Sequence, residues 1–160
     1  MEYADTKEEL EKAGFEVITA SNEKGEAISN GNFVRAKVDV LISDIKVEDY
    51  NGLYIIGGPG ALTFLDNEIV YNLLRDWQKT KKPFGAICIS TRILANAGVL
   101  VGKKAVGWND DGELPGVLQD NGAEYSVNDV FRDGNIITAS GPMAAHDFGK
   151  EIAKAFGKNI

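Results

Sequence analysis

Cysteine is nearly absent from this chain: Cys88 is the only one in 160 residues. A single thiol excludes an internal disulfide and suits a reducing cytosol, so a cytoplasmic location is expected. Histidine is equally scarce, and one histidine (His146) beside one cysteine excludes a zinc centre of the usual His/Cys kind. Neither a metal nor another cofactor is expected. Basic residues are in deficit, 17 against 24 acidic, for a formal charge of −7. Nucleic acid and anionic membranes both need clustered Lys and Arg, so neither is an expected partner; the acidic balance reads as ordinary solubility. No apolar run approaches the ~20 residues that span a bilayer, and nothing resembles a signal peptide. Repeats, low-complexity tracts and domain linkers are missing too. What remains is a chain that is 44% apolar, which predicts one globular domain over residues 1–160 with a proper core.

Helical and strand patterns alternate along it. Glu2 to Ala13 reads as a charged amphipathic helix stopped by Gly14, and Phe15 to Ala20 as a strand. A polar excursion from Ser21 to Asn32 reads as a loop or weak hairpin, followed by short extended pieces around Val38 to Ile42. Leu53 to Ile56 is a buried strand ending in Gly57-Gly58-Pro59-Gly60-Ala61, and a long helix is predicted over Leu62 to Thr80. Phe84 to Ile87 is a second buried strand, with Ile93, Leu94, Ala97 and Leu100 at helical spacing after it. Lys104 to Trp108 reads as a strand and Leu114 to Asn121 as a short helix. Tyr125 to Arg132 and Asn135 to Ala139 form a hairpin around Asp133-Gly134, and Met143 to Phe156 is a closing helix. Such alternation implies a mainly parallel α/β sheet covered on both faces, with ligands outside the carboxyl ends of the strands. One feature is unusual for the class: the chain opens on a helix, so the first strand of the sheet is expected to be missing.

Chemistry concentrates where a strand turns into a helix, at Phe84-Gly85-Ala86-Ile87-Cys88-Ile89-Ser90. A lone cysteine is most simply a small buried hydrophobe, but this placement favours a reactive one. Free N–H groups at the helix start and the helix dipole favour the thiolate, so a pKa below the ~8.5 of free cysteine is expected. Gly57-Gly58-Pro59-Gly60 serves equally as a tight strand-to-helix turn or as a second source of bare N–H groups; it lacks the spacing of a nucleotide fingerprint. His146 reads as a surface histidine near a helix start, Asp110-Asp111 as a polar loop, and Glu2, on composition alone, as a solvated acid.

Together, Lys-Ala-Gly-Phe-Glu-Val at 12–17, Ile-Ile-Gly-Gly-Pro-Gly at 55–60, Ala-Ile-Cys at 86–88, Leu-Ala-Asn-Ala-Gly-Val-Leu at 94–100 and Ile-Thr-Ala-Ser-Gly-Pro at 137–142 resemble the ThiJ/PfpI, or DJ-1-like, superfamily with its class I glutamine amidotransferase-like fold. The resemblance implies a three-layer α/β/α, flavodoxin-like sandwich with Cys88 as the reactive residue on a nucleophile elbow. Its oxyanion donors are implied to be the backbone N–H groups of Gly58 and Ile89, with Gly57, Pro59 and Trp108 around the substrate. The family places a glutamate twelve residues before the Gly that ends the first helix, and counting back from Gly14 gives Glu2. Raised in pKa by burial, that carboxyl is implied to donate to the Cys88 thiolate, so that Glu2→Gln raises the thiol pKa.

Two departures stand beside the match. Peptidase-like members follow the cysteine with histidine, where this chain has Ile89; other members place one about twenty residues later, where it has Trp108. His146 matches neither position. The resemblance implies a cysteine-dependent enzyme of small reactive carbonyls, with a peptidase or amidase, or a redox sensor or chaperone using an oxidisable Cys88, as alternatives. It also implies a homodimer or dimer-based oligomer.

Overall fold

Phe84, Gly85, Ala86 and Ile87 carry no polar side chain, and all four are buried. A strand buried on both faces sits at the centre of a parallel sheet. The computed structural model of the chain describes residues 1–29 and 35–158. In order, its elements are α1 (Glu2–Lys12), β1 (Ala20–Ser21), β2 (Glu26–Ile28), β3 (Arg35–Lys37), β4 (Val40–Leu41), β5 (Leu53–Ile55), α2 (Ala61–Leu65), α3 (Glu68–Thr80), β6 (Phe84–Ile87), α4 (Thr91–Asn96), β7 (Lys104–Ala105), α5 (Leu114–Asp120), β8 (Glu124–Tyr125), β9 (Val130–Asp133), β10 (Ile136–Ala139) and α6 (Ala145–Ala155). The main sheet runs β5-β6-β10-β9. Here β6 is parallel to β5 and to β10, while β9 returns antiparallel to β10 through the Asp133-Gly134 hairpin.

Helices cover both faces, giving the α/β/α layering. On one face Val70, Leu74 and Trp77 of α3 pack with Ile93 and Leu94 of α4 and Leu114 and Leu118 of α5. On the other, Ala145, Phe148 and Ile152 of α6 pack on Ile87, Ile137 and Ala139. Against α6 packs α1, whose buried stripe is polar: Glu2, Thr6 and Glu9. The Thr6 hydroxyl donates to the Ala145 carbonyl at 3.3 Å, and His146 Nδ1 lies 3.0 Å from Glu9 Oε1. These contacts fix the helix that carries Glu2.

The expected elements are present with corrected bounds. Phe15 to Ala20 is a strand only from Ala20, because β1 pairs with β4 alone and residues 15–19 have no neighbouring strand. The predicted helix over Leu62 to Thr80 is two, broken where the Asn67 side chain accepts from the Ile69 and Val70 N–H groups and caps α3. The strand at Lys104 stops at Ala105, and that at Tyr125 divides into β8 and β9. The Ser21–Asn32 excursion contributes β2, which pairs antiparallel with β3; its residues 30–32 lie outside those described. Among the described residues no helix is long and apolar enough to cross a membrane.

Candidate active site

Strand β6 ends at Ile87, and the next residue turns the chain sharply: Cys88 has φ 64, in the left-handed region. A non-glycine residue held there stores roughly 1–3 kcal/mol of strain, which the packed β6 and α4 on either side sustain. The short helical turn Cys88–Ser90 leads into α4. It is anchored from within, as the buried Ser90 hydroxyl donates to the Ile56 carbonyl at 2.8 Å and the Thr91 hydroxyl to the Val106 carbonyl at 2.8 Å. The first of these bonds ties the cysteine turn to the carboxyl end of β5, where Gly57 and Gly58 lie.

At Gly57 the approach is too close for any side chain. A Cβ there would fall 2.5 Å from Cys88 Cβ, 2.7 Å from Glu2 Oε2 and 3.0 Å from the Ile87 carbonyl oxygen. Cys88 and Glu2 therefore meet over the bare face of this glycine. Burial raises the Glu2 carboxyl above its ordinary 4.5, opposed by hydrogen bonding toward the Cys88 thiol and the Gly57 backbone. Those contacts do not saturate the carboxyl, because Oε2 stays buried without a partner. The half-buried Cys88 thiol is pushed up from 9.0 to about 12, first by burial, then by the charge and hydrogen bond of Glu2; the N–H groups of Ile89 and Gly58 pull the other way.

That direction corrects the sequence-based expectation of a lowered thiol pKa. The backbone donors are where the elbow predicts them, but burial and a neighbouring carboxylate outweigh them. The consequence for titration is opposite in sign to the one expected from sequence. Removing the Glu2 charge removes two of the causes that raise the thiol, so Glu2→Gln should lower the Cys88 pKa. Iodoacetamide alkylation of Cys88 should still be climbing above pH 10 in the wild type, and the rise should move to lower pH in Glu2→Gln. A wild-type rate already level near pH 8.5 would contradict this ordering.

Of the other sequence candidates, Gly57, Gly58 and Pro59 line the upper end of a large cavity together with Glu2. Trp108 does not line it. Its indole N–H donates to Asp110 at 3.1 Å, and the Arg92 guanidinium lies 5.6 Å above its ring. His146 is half-exposed on α6 against Glu9, and with Lys12 it holds the Glu9 carboxyl below its ordinary value. Among the described residues no group of three or more His, Cys, Asp or Glu could hold a metal ion.

Two supports behind the elbow are absent from the sequence reading. Gly107 packs against the Cys88 carbonyl, where a Cβ would come within 2.7 Å. Arg92, buried in α4, grips Asp111 with two bonds of 2.7 Å and reaches Glu113 at 3.3 Å. A signal for the second was available: an arginine inside the run Thr91-Arg92-Ile93-Leu94-Ala95 needs an acid brought to it.

The sequence model of the DJ-1/PfpI family matches residues 1–155. An uncharacterized protein of Methanocaldococcus jannaschii is 37% identical over 152 residues, covering 94% of this chain and 73% of that protein. A deglycase of Pyrococcus horikoshii is 29% identical over 148 residues, covering 91% of this chain and 85% of the other. The crystal structure of a ThiJ/PfpI domain protein from Brachyspira murdochii superposes with a TM-score of 0.91 at 24% identity, over 98% of this chain and 88% of that one. With the sequence match running from the helix that bears Glu2 to the closing helix α6, the chain belongs to the DJ-1/PfpI family.

Proposed function

We propose that this protein is a cysteine-dependent enzyme of small reactive carbonyls, acting on α-oxoaldehydes through Cys88. The observation that carries this reading is the meeting of a thiol and a buried carboxyl over Gly57, with the backbone N–H groups of Gly58 and Ile89 acting on the thiol against the rise in its pKa. A thiol raised to about 12 is not a resting thiolate and needs a base at the moment of attack. Glu2, with its raised pKa, is the matched base. As sulfur bonds to the aldehyde carbon, the thiol proton passes to Glu2 and the carbonyl electron pair moves onto oxygen. The Gly58 and Ile89 N–H groups receive that oxyanion. Glu2 returns that proton to the oxyanion, giving a hemithioacetal. As a carboxylate it then moves a proton from the sulfur-bearing carbon to the neighbouring carbonyl carbon, leaving a Cys88 thioester. Water breaks the thioester C–S bond, returning the thiol and a 2-hydroxy acid, so that oxoaldehyde plus water balances the product.

Amide hydrolysis fits less well, since expelling an amine calls for an acid near neutral pH and the sole histidine is engaged with Glu9. Redox sensing asks for a resting thiolate, which burial opposes. The assembly is proposed to be a homodimer in the cytoplasm, where a lone thiol stays reduced. The test is methylglyoxal consumption with the 2-hydroxy acid quantified, beside a fluorogenic peptide. Turnover is expected with the aldehyde and not with the peptide, and Glu2→Gln should slow it about a hundredfold. Peptide cleavage without aldehyde turnover would overturn the reading.

A further inference from the structure

Charge is sorted along the main sheet. Strands β5, β6 and β10 run parallel, so their carboxyl ends share the side on which Cys88 sits. β7 runs the same way: the Lys104 N–H donates to Asp133, opposite the first residue of β10, and the Val106 N–H to Thr138, its third. Five segments border that side: residues 56–60, 88–90, 107–113, 126–129 and 140–144. They hold Asp110, Asp111, Glu113 and Asp129, and no Lys or Arg. Bases gather at the opposite end, where Lys81 and Lys82 precede β6 and Lys103 and Lys104 enter β7.

The cations that reach the Cys88 side are engaged. Arg92 grips Asp111 with two bonds of 2.7 Å and reaches Glu113 at 3.3 Å. Lys7 is held by the Tyr3 hydroxyl and Glu11, the Met1 ammonium by Asp5, and Lys150 by Asp147. His146 is turned to Glu9. Lys24 stands ahead of β2, which pairs with β3 outside the main sheet. With three acids against Arg92 alone, residues 107–113 keep a formal charge of −2. That charge begins beside the nucleophile, since Gly107 packs against the Cys88 carbonyl. At the thiol itself the charge at work is that of Glu2, whose Oε2 is buried without a partner. The dipole at the start of α4 favours an anion, but it fades within the first turn and serves only the oxygen held by the Gly58 and Ile89 N–H groups. A carboxylate or phosphate farther along a substrate meets the acids instead. Arg92, which could fork it, is already forked onto Asp111.

We infer that residues 107–113 form a charge filter beside Cys88, with the exposed Asp110 and Glu113 as its specificity-determining residues. The filter admits uncharged and cationic α-oxoaldehydes and turns away those that carry a carboxylate or phosphate. The substrate class rests on the reading of Cys88 as a nucleophile toward α-oxoaldehydes; the filter itself does not.

Iodoacetamide and iodoacetate differ by one negative charge at nearly equal size. The ratio of their rates with Cys88 therefore reads the local field and cancels the thiolate fraction. N-acetylcysteinamide supplies the ratio for a thiol with no such field. At about pH 8 and about 10 mM salt, the wild type should disfavour iodoacetate about fivefold beyond that reference. At about 1 M salt, where the Debye length is ~3 Å, the excess should fall to about 1.5-fold. The double variant Asp110→Asn, Glu113→Gln places amides of the same shape at exposed positions and should cut the low-salt excess to about twofold. No excess over the reference thiol overturns the inference, as does an excess unmoved by salt, which is steric. An excess that survives in the double variant and vanishes in Glu2→Gln also overturns it, assigning the field to Glu2. Methylglyoxal turnover separates this inference from the proposed activity. Turnover without the excess removes the filter alone, and the excess without turnover upholds the filter and removes the enzyme.

Discussion

Cys88→Ala should lower methylglyoxal turnover by about a thousandfold or more while leaving the fold in place. The loss is large because the proposed chemistry has no second nucleophile: Cys88 is the only cysteine, and its thiol is the group on which the Gly58 and Ile89 N–H groups act. The fold should survive because what holds the turn lies outside the thiol, in the Ser90 bond to Ile56, the Thr91 bond to Val106 and the buried α4. Alanine also leaves Glu2 without the thiol proton it is proposed to accept, so a substrate that still binds should dissociate unchanged. Steady-state turnover of the variant, paired with its thermal melt, makes the check. Activity above about a tenth of wild type, with the melt unchanged, would place the reaction elsewhere. A variant that melts far below the wild type would instead make Cys88 a structural residue.

Much of this site is legible in the sequence because its parts are local. A four-residue apolar strand running into a helical pattern announces the elbow, and a bare Gly-Gly at the end of another such strand announces the turn facing it. Glu2 is not legible from composition, since its helix buries Glu2, Thr6 and Glu9 rather than an apolar stripe, and only the family resemblance, counted back from Gly14, singles it out. The sign of the Cys88 shift is illegible for a related reason. Backbone donors can be inferred from local geometry, but desolvation depends on how α1 lies along α6 and presses Glu2 onto Gly57. In the fold, β6 reads correctly because a strand buried on both faces is written as a continuous apolar run, and β5 and β10 because each carries a short apolar run of its own, although β5 is buried only at Ile55. Phe15 to Ala20 carries the same kind of residues and still fails as a strand for most of its length, because a strand is a pairing relation as well as a composition. The break at Asn67 was written locally, in an Asn followed by an acidic first turn, and was masked by the apolar stripe continuing past it.

The same central strand sets the largest expected loss of stability. Gly85 sits in the middle of β6, opposite Tyr54 on one side and Ile137 on the other. A Cβ at this position would fall 1.7 Å from the Ile137 carbonyl oxygen, 2.7 Å from its carbon and 3.1 Å from its nitrogen. All three are backbone atoms of a paired strand, so no side chain can swing aside. Either β10 moves away from β6 and their ladder breaks, or β6 shifts and strains the turn at Cys88. Gly85→Ala should therefore destabilise the protein by about 4 kcal/mol or more, a fall of roughly 8–16 °C in Tm for a chain of this size. Gly116→Ala supplies the contrast: Gly116 lies inside α5 with nothing within 4 Å of a new Cβ. Better helix propensity should stabilise that variant by about 0.5–1 kcal/mol. Thermal melts of the two, followed by circular dichroism, should move in opposite directions. A Gly85→Ala protein melting with the wild type would mean that β6 and β10 do not approach as closely as their register requires.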